Sequence, residues 1–182
     1  MRKTISIGLA VLALATFSYP AGKTIKLRVG YFAPADQVFR DVYGGGIKVG
    51  IEGSFEVAKN LDAWLGLDYF AKSGQMADPP DPTDVWIYPI SAGVNYNFAA
   101  AGPVTFYLGA GIEYVLFKEE NVLGTVNKGN IGFMAKAGGV LKLRKNVSLD
   151  VSLGYSVCSM TNEDAEFKVG GLDIGAGLAF RF

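Results

Sequence analysis

The sequence contains no histidine and only one cysteine, Cys158, among its 182 residues. Without an imidazole, no Ser-His-Asp or Cys-His catalytic arrangement can be built, and the commonest protein ligand of zinc is missing. Cys158 has no second cysteine for an internal disulfide and no metal ligand near it, which indicates a small apolar residue rather than a reactive thiol. We therefore expect no enzymatic activity, no bound metal and no cofactor.

The sequence also lacks a net charge and a long apolar segment. Its 17 Lys and Arg residues balance its 17 Asp and Glu residues, which argues against nucleic acid as a partner. After residue 21, no stretch is continuously apolar over the ~20 residues that a transmembrane helix requires. A helical membrane protein is therefore not expected.

The first 21 residues have the layout of a secretory signal peptide. Two basic residues precede an apolar run over residues 5–15, and small residues follow it. The cleavage point stays open between Ser18 and Ala21, and an uncleaved anchor is the alternative. We predict a signal peptide over residues 1–21 and a single domain over residues 22–182.

From residue 24 onward, apolar residues recur at every second position, a period typical of β-strands, and we expect no helices. Strands of about 9–16 residues exceed the length usual in soluble sheets and fit strands that cross a bilayer at a tilt. The fold class predicted is all-β, an eight-stranded antiparallel up-and-down transmembrane β-barrel. Its strands are expected over residues 25–31, 47–57, 61–72, 86–98, 104–114, 131–142, 147–155 and 172–182.

The predicted connections alternate in length. Tight turns are expected at residues 58–60, 99–103 and 144–146, and long loops at residues 33–46, 73–84, 118–129 and 159–166. Short turns on one side and long loops on the other are typical of membrane β-barrels, and an even strand number places both termini on the short-turn side.

The charged face of the strands is predicted to point inward, whereas a soluble barrel would alternate equally well with its apolar face inside. Glycines concentrate on the charged face, where a narrow lumen needs space for neighbouring side chains. Seven positive and seven negative residues on this face could pair and so lower the cost of removing charge from water. This predicted lumen charge network comprises Lys26, Arg28, Lys48, Glu52, Glu56, Asp62, Asp68, Lys72, Glu113, Lys136, Lys142, Asp150, Asp173 and Arg181.

The last strand carries the most specific motif. Gly177, Phe180 and Phe182 have the spacing of the C-terminal signal read by the barrel-assembly machinery, although Gly175 stands where a polar residue is usual. With its strand pattern, the chain resembles the small eight-stranded outer-membrane barrels of Gram-negative bacteria, the OmpA-like and generic outer membrane protein beta-barrel domain family. The resemblance implies export through the periplasm, location in the outer membrane, and contact with membrane lipid, lipopolysaccharide and the assembly machinery.

Two functions follow as hypotheses. The first is a structural or surface-interaction role, in which a closed, charge-paired barrel displays four extracellular loops to an unidentified partner. The alternative is a narrow channel or conduit for small or hydrophobic solutes, because the many lumen glycines leave local space, although eight strands leave an interior barely wide enough for side chains.

Overall fold

The computed structural model describes residues 22–75, 82–122, 124–162 and 165–182. The predicted signal peptide, residues 1–21, lies outside the described residues. Within the described ranges, eight long antiparallel strands close into a barrel, with a separate two-stranded sheet and one short helix. In chain order the elements are β1 (Lys23–Pro34), α1 (Gln37–Tyr43), β2 (Gly46–Ala58), β3 (Leu61–Gln75), β4 (Pro82–Ala101), β5 (Val104–Asn121), β6 (Gly124–Arg144), β7 (Val147–Val157), β8 (Ser159–Asn162), β9 (Ala165–Lys168) and β10 (Gly171–Arg181).

The predicted fold class is confirmed. Each barrel strand pairs with its sequence neighbour, β7 pairs with β10, and β10 pairs with β1 from Thr24 opposite Arg181 to Pro34 opposite Gly171. This last pairing leaves the barrel without an open edge along the joined strands. No helix in the described ranges is long and apolar enough to cross a membrane.

Tight turns gather at one end of the barrel, here called the short-turn end, and longer connections at the other, the long-loop end. Asn60 and Gly102 adopt φ values of 62°, a left-handed conformation that suits asparagine and glycine in tight hairpin turns. The three tight turns lie where the sequence predicts them.

The expectation of no helices is wrong, because α1 forms within the first long connection. The Asp36 carboxylate caps it by accepting a hydrogen bond from the Phe39 N–H at 3.0 Å. Phe39 and Tyr43 are four residues apart, so they lie on the same face of the helix, and both are buried. A two-residue period dominates the surrounding sequence, so this short helical signal is easily missed.

Strands β4, β5 and β6 are also longer than predicted, and most of the expected loop 118–129 is a continuation of β5 and β6. The reason is that β5 becomes apolar on both faces beyond Tyr114, so the alternation that marks a strand disappears. Val115 and Phe117 are buried, and Leu116 between them is exposed on the outer face.

Burial along the strands places the charged face inside. Lys26 is 6% exposed, whereas its neighbours Ile25 and Leu27 are 42% and 53% exposed. Exposed aliphatic residues over the whole outer wall would be unfavourable in water and are expected where the wall contacts hydrocarbon.

Candidate functional site

The centre of the barrel contains a first balanced group of four charges, the lower quartet, formed by Lys26, Glu52, Lys136 and Asp150. Lys26 Nζ lies 3.2 Å from Glu52 Oε1 and 3.0 Å from Asp150 Oδ2, and Lys136 Nζ lies 2.6 Å from Glu52 Oε2. All four side chains are 8% exposed or less. Because Lys136 is on β6 and Glu52 on β2, their ion pair spans the lumen between strands that are not neighbours.

A second group, the upper quartet, lies nearer the long-loop end and comprises Arg28, Lys48, Asp68 and Asp173. One Arg28 Nη atom donates to both Asp68 oxygens at 2.8 and 3.1 Å, and Lys48 Nζ lies 2.7 Å from Asp173 Oδ2. Longer contacts of 3.9 Å between Lys48 and Asp68 and 4.0 Å between Arg28 and Asp173 complete the group. Each quartet therefore has two positive and two negative charges.

Gly50 makes the Arg28–Asp68 pair possible. In the strand register, Gly50 of β2 stands between Arg28 on one side and Asp68 on the other. A Cβ added at Gly50 would collide with the Asp68 carboxylate. The absence of a side chain there lets two residues on non-adjacent strands meet, which is the space-making role expected of lumen glycines.

Eight of the fourteen residues predicted for the lumen network thus join in ion pairs. In the described part of the chain, no salt bridge includes the other six: Glu56, Asp62, Lys72, Glu113, Lys142 and Arg181. Glu113 is buried at 6% exposure, and Asp62 accepts a hydrogen bond from Asn97 at 2.8 Å. The remaining four are exposed because they lie close to the ends of the barrel.

Trp64 fills the lumen beside the lower quartet. Its indole ring, 3% exposed, lies under Lys136 Nζ at 3.7 Å from the ring centroid, a cation–π contact. A Cβ at Gly93 or Gly111 would come within 2.7 or 2.9 Å of the indole. These two glycines therefore accommodate the tryptophan across β4 and β5.

Above the upper quartet, the interior changes from charged to apolar. We call this cluster the apolar cap; it includes inward-facing strand residues, two residues of α1 and three from the connection between β7 and β10. The phenyl rings of Phe32 and Phe70 meet edge-to-face at 5.3 Å. The cap consists of Phe32, Phe39, Tyr43, Phe70, Val85, Ile87, Val115, Phe117, Cys158, Met160 and Val169.

Helix α1 is attached over the mouth of the barrel at both sides. The Tyr43 and Thr83 hydroxyls are hydrogen-bonded at 2.9 Å, which joins the helix to β4. On the other side, the Lys168 N–H donates to the Asp36 carboxylate at 3.3 Å, and the Ala35 N–H donates to the Gly170 carbonyl at 3.0 Å. These bonds hold Phe39 and Tyr43 against the other residues of the cap.

The sequence patterns did not predict the apolar cap or helix α1. Two signals for them are present: the spacing of Phe39 and Tyr43, and the continuous apolar run from Val115 to Phe117. Both signals can be interpreted only if the inward-facing positions of the strands are expected to change from charged to apolar near the long-loop end.

A polar cavity of about 650 Å³ occupies the barrel at the short-turn end. Lys26 and Glu52 of the lower quartet line its inner part, and exposed residues of the strand ends and turns line its mouth. The exposed lining residues include Lys142, Arg144, Lys145 and Arg181 on one side and Glu56 on the other.

At the opposite end, β6 continues far beyond the strand that follows it. Pairing between β6 and β7 begins only at Phe133, whereas β5 pairs with β6 as far as Gly124. The extension from Gly124 to Phe133 corresponds to roughly 30 Å of extended strand. Among the described residues, the portion from Gly124 to Asn127 has β5 on one side and no second strand on the other.

The residues of the predicted assembly signal lie on β10 and directly after it. Phe182 is 75% exposed, Phe180 is partly exposed, and Gly177 is buried. A Cβ at Gly177 would lie 2.5 Å from the Leu27 carbonyl oxygen, so close packing between β10 and β1 already requires glycine there. No group of acidic or cysteine side chains in the described ranges is arranged to hold a metal ion.

Comparison with known proteins gives one family match. A profile described as "Outer membrane protein beta-barrel domain" matches residues 5–182. No curated protein matches the chain by sequence.

Solved structures of similar architecture come from several bacteria. Neisserial surface protein A is 22% identical with a TM-score of 0.62, and the match covers 88% of this chain and 97% of that protein. A major outer membrane protein from Thermus thermophilus is 13% identical with a TM-score of 0.58, covering 90% of this chain and 100% of that one. Ail, the attachment invasion locus protein of Yersinia pestis, solved with the heparin analogue sucrose octasulfate, is 16% identical with a TM-score of 0.54, covering 88% and 99%. At these identities the likeness concerns the fold.

Proposed function

Because the chain belongs to the outer membrane protein beta-barrel domain family and is an outer-membrane protein, we propose that it serves as a surface-interaction or structural protein whose closed barrel presents four extracellular loops. The observation that carries this proposal is the wall of β3 to β6, whose strands stay paired toward the long-loop end while β6 runs on beyond its last pairing with β7 at Phe133. A rigid barrel that holds a protruding sheet provides a fixed platform for binding residues.

The edge of β6 from Gly124 to Asn127, which pairs only with β5 among the described residues, suggests how a partner would be held. Backbone N–H and C=O groups at an open strand edge can pair with an extended segment of another protein, which is recognition by strand addition. The exposed tip at Val122, 60% accessible, would add apolar contact. Names of similar proteins, a surface protein and an attachment protein, agree with a role at the cell surface.

The two quartets and the apolar cap support the closed-lumen part of the proposal. A solute crossing the barrel would have to break ion pairs in both quartets and then pass through the side chains of the cap. Breaking buried ion pairs is costly, and an apolar constriction also excludes water. The channel hypothesis is therefore the weaker of the two.

Surface labelling tests the orientation. In a Cys158→Ser background, Val122→Cys should react with a membrane-impermeant maleimide on intact cells, because the proposal places the β5–β6 tip outside. The matched variant is Lys59→Cys in the tight turn between β2 and β3, which should react only after the membrane is permeabilised. Labelling of Lys59→Cys on intact cells, with Val122→Cys protected, would contradict the proposal.

Conductance separates the two hypotheses. The refolded chain in a planar bilayer should give no reproducible current steps, since the lumen is blocked by charge pairs and by the cap. Folding is checked by the altered gel mobility of unboiled protein, and a known porin serves as positive control. Reproducible steps from the folded fraction, absent from protein-free bilayers, would establish a channel instead.

We also propose the remaining interactions that the family implies. The exposed aliphatic wall would contact outer-membrane lipid and lipopolysaccharide. Gly177, Phe180 and Phe182 would be read by the barrel-assembly machinery after export through the periplasm.

A further inference from the structure

The cavity at the short-turn end has an uneven distribution of charge. Four basic residues, Lys142, Arg144, Lys145 and Arg181, line it on the side of the β6–β7 turn; we call them the basic arc. All four are exposed, and none takes part in a salt bridge within the described ranges. The lysine and glutamate at the inner part of the cavity are already compensated within the lower quartet.

Two hydrogen bonds join the chain segments that carry three members of the basic arc. The Arg181 N–H donates to the Asn146 carbonyl at 2.9 Å, and the Asn146 side-chain amide donates to the Arg181 carbonyl at 2.8 Å. These bonds fasten the end of β10 to the turn that contains Arg144 and Lys145. The backbone that carries Arg144, Lys145 and Arg181 is therefore joined at one place on the rim of the barrel.

Small residues leave space beside the arc. Lys142, Ser148, Ala179 and Lys26 follow one another in the register of β6, β7, β10 and β1, and all four line the cavity. The short side chains of Ser148 and Ala179 leave room between the two lysines. The Ser148 hydroxyl adds a neutral hydrogen-bond donor.

The acidic residues of the mouth stand across the barrel from the β6–β7 turn, although Arg181 on β10 is separated from β2 only by β1. Glu56 and Asp62 flank the β2–β3 turn, which lies across the closed strand order from the β6–β7 turn. Among the described residues no salt bridge joins either acid to the arc, and the four basic residues of the arc outnumber these two acids at the mouth. Low-dielectric walls concentrate the field of such an excess charge and attract ions of the opposite sign.

We propose that this cavity is a binding site for a small soluble anion bearing a phosphate group, which enters from the short-turn end and is held by the basic arc with Ser148. The volume of about 650 Å³ lies within the range of small-molecule sites. Arginine and lysine donors suit phosphate oxygens through charge-assisted hydrogen bonds. The site lies at the opposite end of the barrel from the proposed interaction surface, so either can exist without the other.

Titration with inorganic phosphate tests the site. In zwitterionic nanodiscs, ¹⁵N-labelled protein should show saturable shifts of the Ser148 backbone resonance, and the affinity should fall as sodium chloride is raised. The triple variant Lys142→Gln, Arg144→Gln, Arg181→Gln should bind at least about tenfold more weakly. Should the triple variant fail the gel-mobility check for folding, the single Arg144→Gln variant provides the measurement, with an expected loss of about threefold.

Two further variants make the result specific. Lys59→Gln removes a positive charge at the same end of the barrel but outside the cavity lining, and should leave the affinity unchanged. Glu56→Gln removes an opposing negative charge and should strengthen binding slightly. Shifts that do not saturate, an equal loss in Lys59→Gln, or shifts caused by phosphatidylglycerol in the nanodisc but not by free phosphate would overturn the proposal.

Discussion

Replacing Glu52 with alanine should destabilise the folded barrel by about 3–5 kcal/mol, because it leaves buried positive charge uncompensated. Glu52 is the carboxylate shared by Lys26 and Lys136 in the lower quartet. In this variant Lys26 would keep its ion pair with Asp150, in which Nζ and Oδ2 are 3.0 Å apart. Lys136 has no other ion-pair partner among the described residues. The Lys136 side chain is only 2% exposed, so water cannot readily replace the lost carboxylate.

The measurement is the free energy of unfolding in lipid vesicles, from denaturant titration followed by the gel mobility of the folded form. Glu56→Ala is the matched control, since Glu56 lies on the same strand and the same face but is exposed. Its cost should stay below about 1 kcal/mol. Adding Lys136→Met to Glu52→Ala should recover much of the stability, because the unpaired charge disappears. Equal costs for Glu52→Ala and Glu56→Ala would show that the quartet does not stabilise the barrel.

The Cys158 thiol should react with a maleimide at pH 8 at least about a hundredfold more slowly in the folded protein than in the unfolded chain. Cys158 is 1% exposed within the apolar cap. Burial, reinforced by the nearby negative charge of Glu113, raises the pKa of this thiol from 9 to about 11, which lowers the thiolate fraction. Since the thiol must ionise at a lower pH in the unfolded chain, stability should decline as the pH rises from 9 towards 11.

The reaction rate also reports on the attachment of helix α1. Phe39→Ala removes an apolar side chain of α1 from the cap and should accelerate labelling, because the helix loses part of its attachment. Val38→Ala, on the exposed side of the same helix at 73% accessibility, should leave the rate unchanged. If the folded wild-type chain reacts as fast as the unfolded chain, the cap does not enclose Cys158. If Val38→Ala accelerates labelling as much as Phe39→Ala, the helix does not act through its buried face.

The sequence was sufficient to predict the barrel, its strand number and the side of each strand that faces inward. These features depend on local periodicity: Ile25 and Leu27 alternate with Lys26, and the same pattern recurs along all eight barrel strands. A two-residue period in long strands leaves few architectures that satisfy every backbone hydrogen bond in a membrane. The tight turns followed from the same pattern, because they interrupt it.

Prediction was incomplete where both strand faces become apolar or where a local helix interrupts the pattern. The inner side of β5 changes from Glu113 to Val115 and Phe117. These two apolar side chains are buried inside the barrel in the same cluster as the apolar residues of α1, which the sequence pattern did not predict. The pairing of charges could not be predicted either. Arg28 meets Asp68 across Gly50, and Lys136 meets Glu52 across the lumen, and both contacts depend on the register of non-adjacent strands.

The sequence by itself determined that this chain forms a membrane barrel with a charged interior, because side-chain alternation is a local property of each strand. Only the tertiary structure decided which charges meet, where the lumen is filled and where it stays open. Lys142 and Arg181 were predicted to belong to the same inner network as Lys26, but their positions along the barrel place them at the exposed rim of a cavity. Depth along the barrel axis and the stagger between strands set these differences, and neither is encoded in the two-residue period.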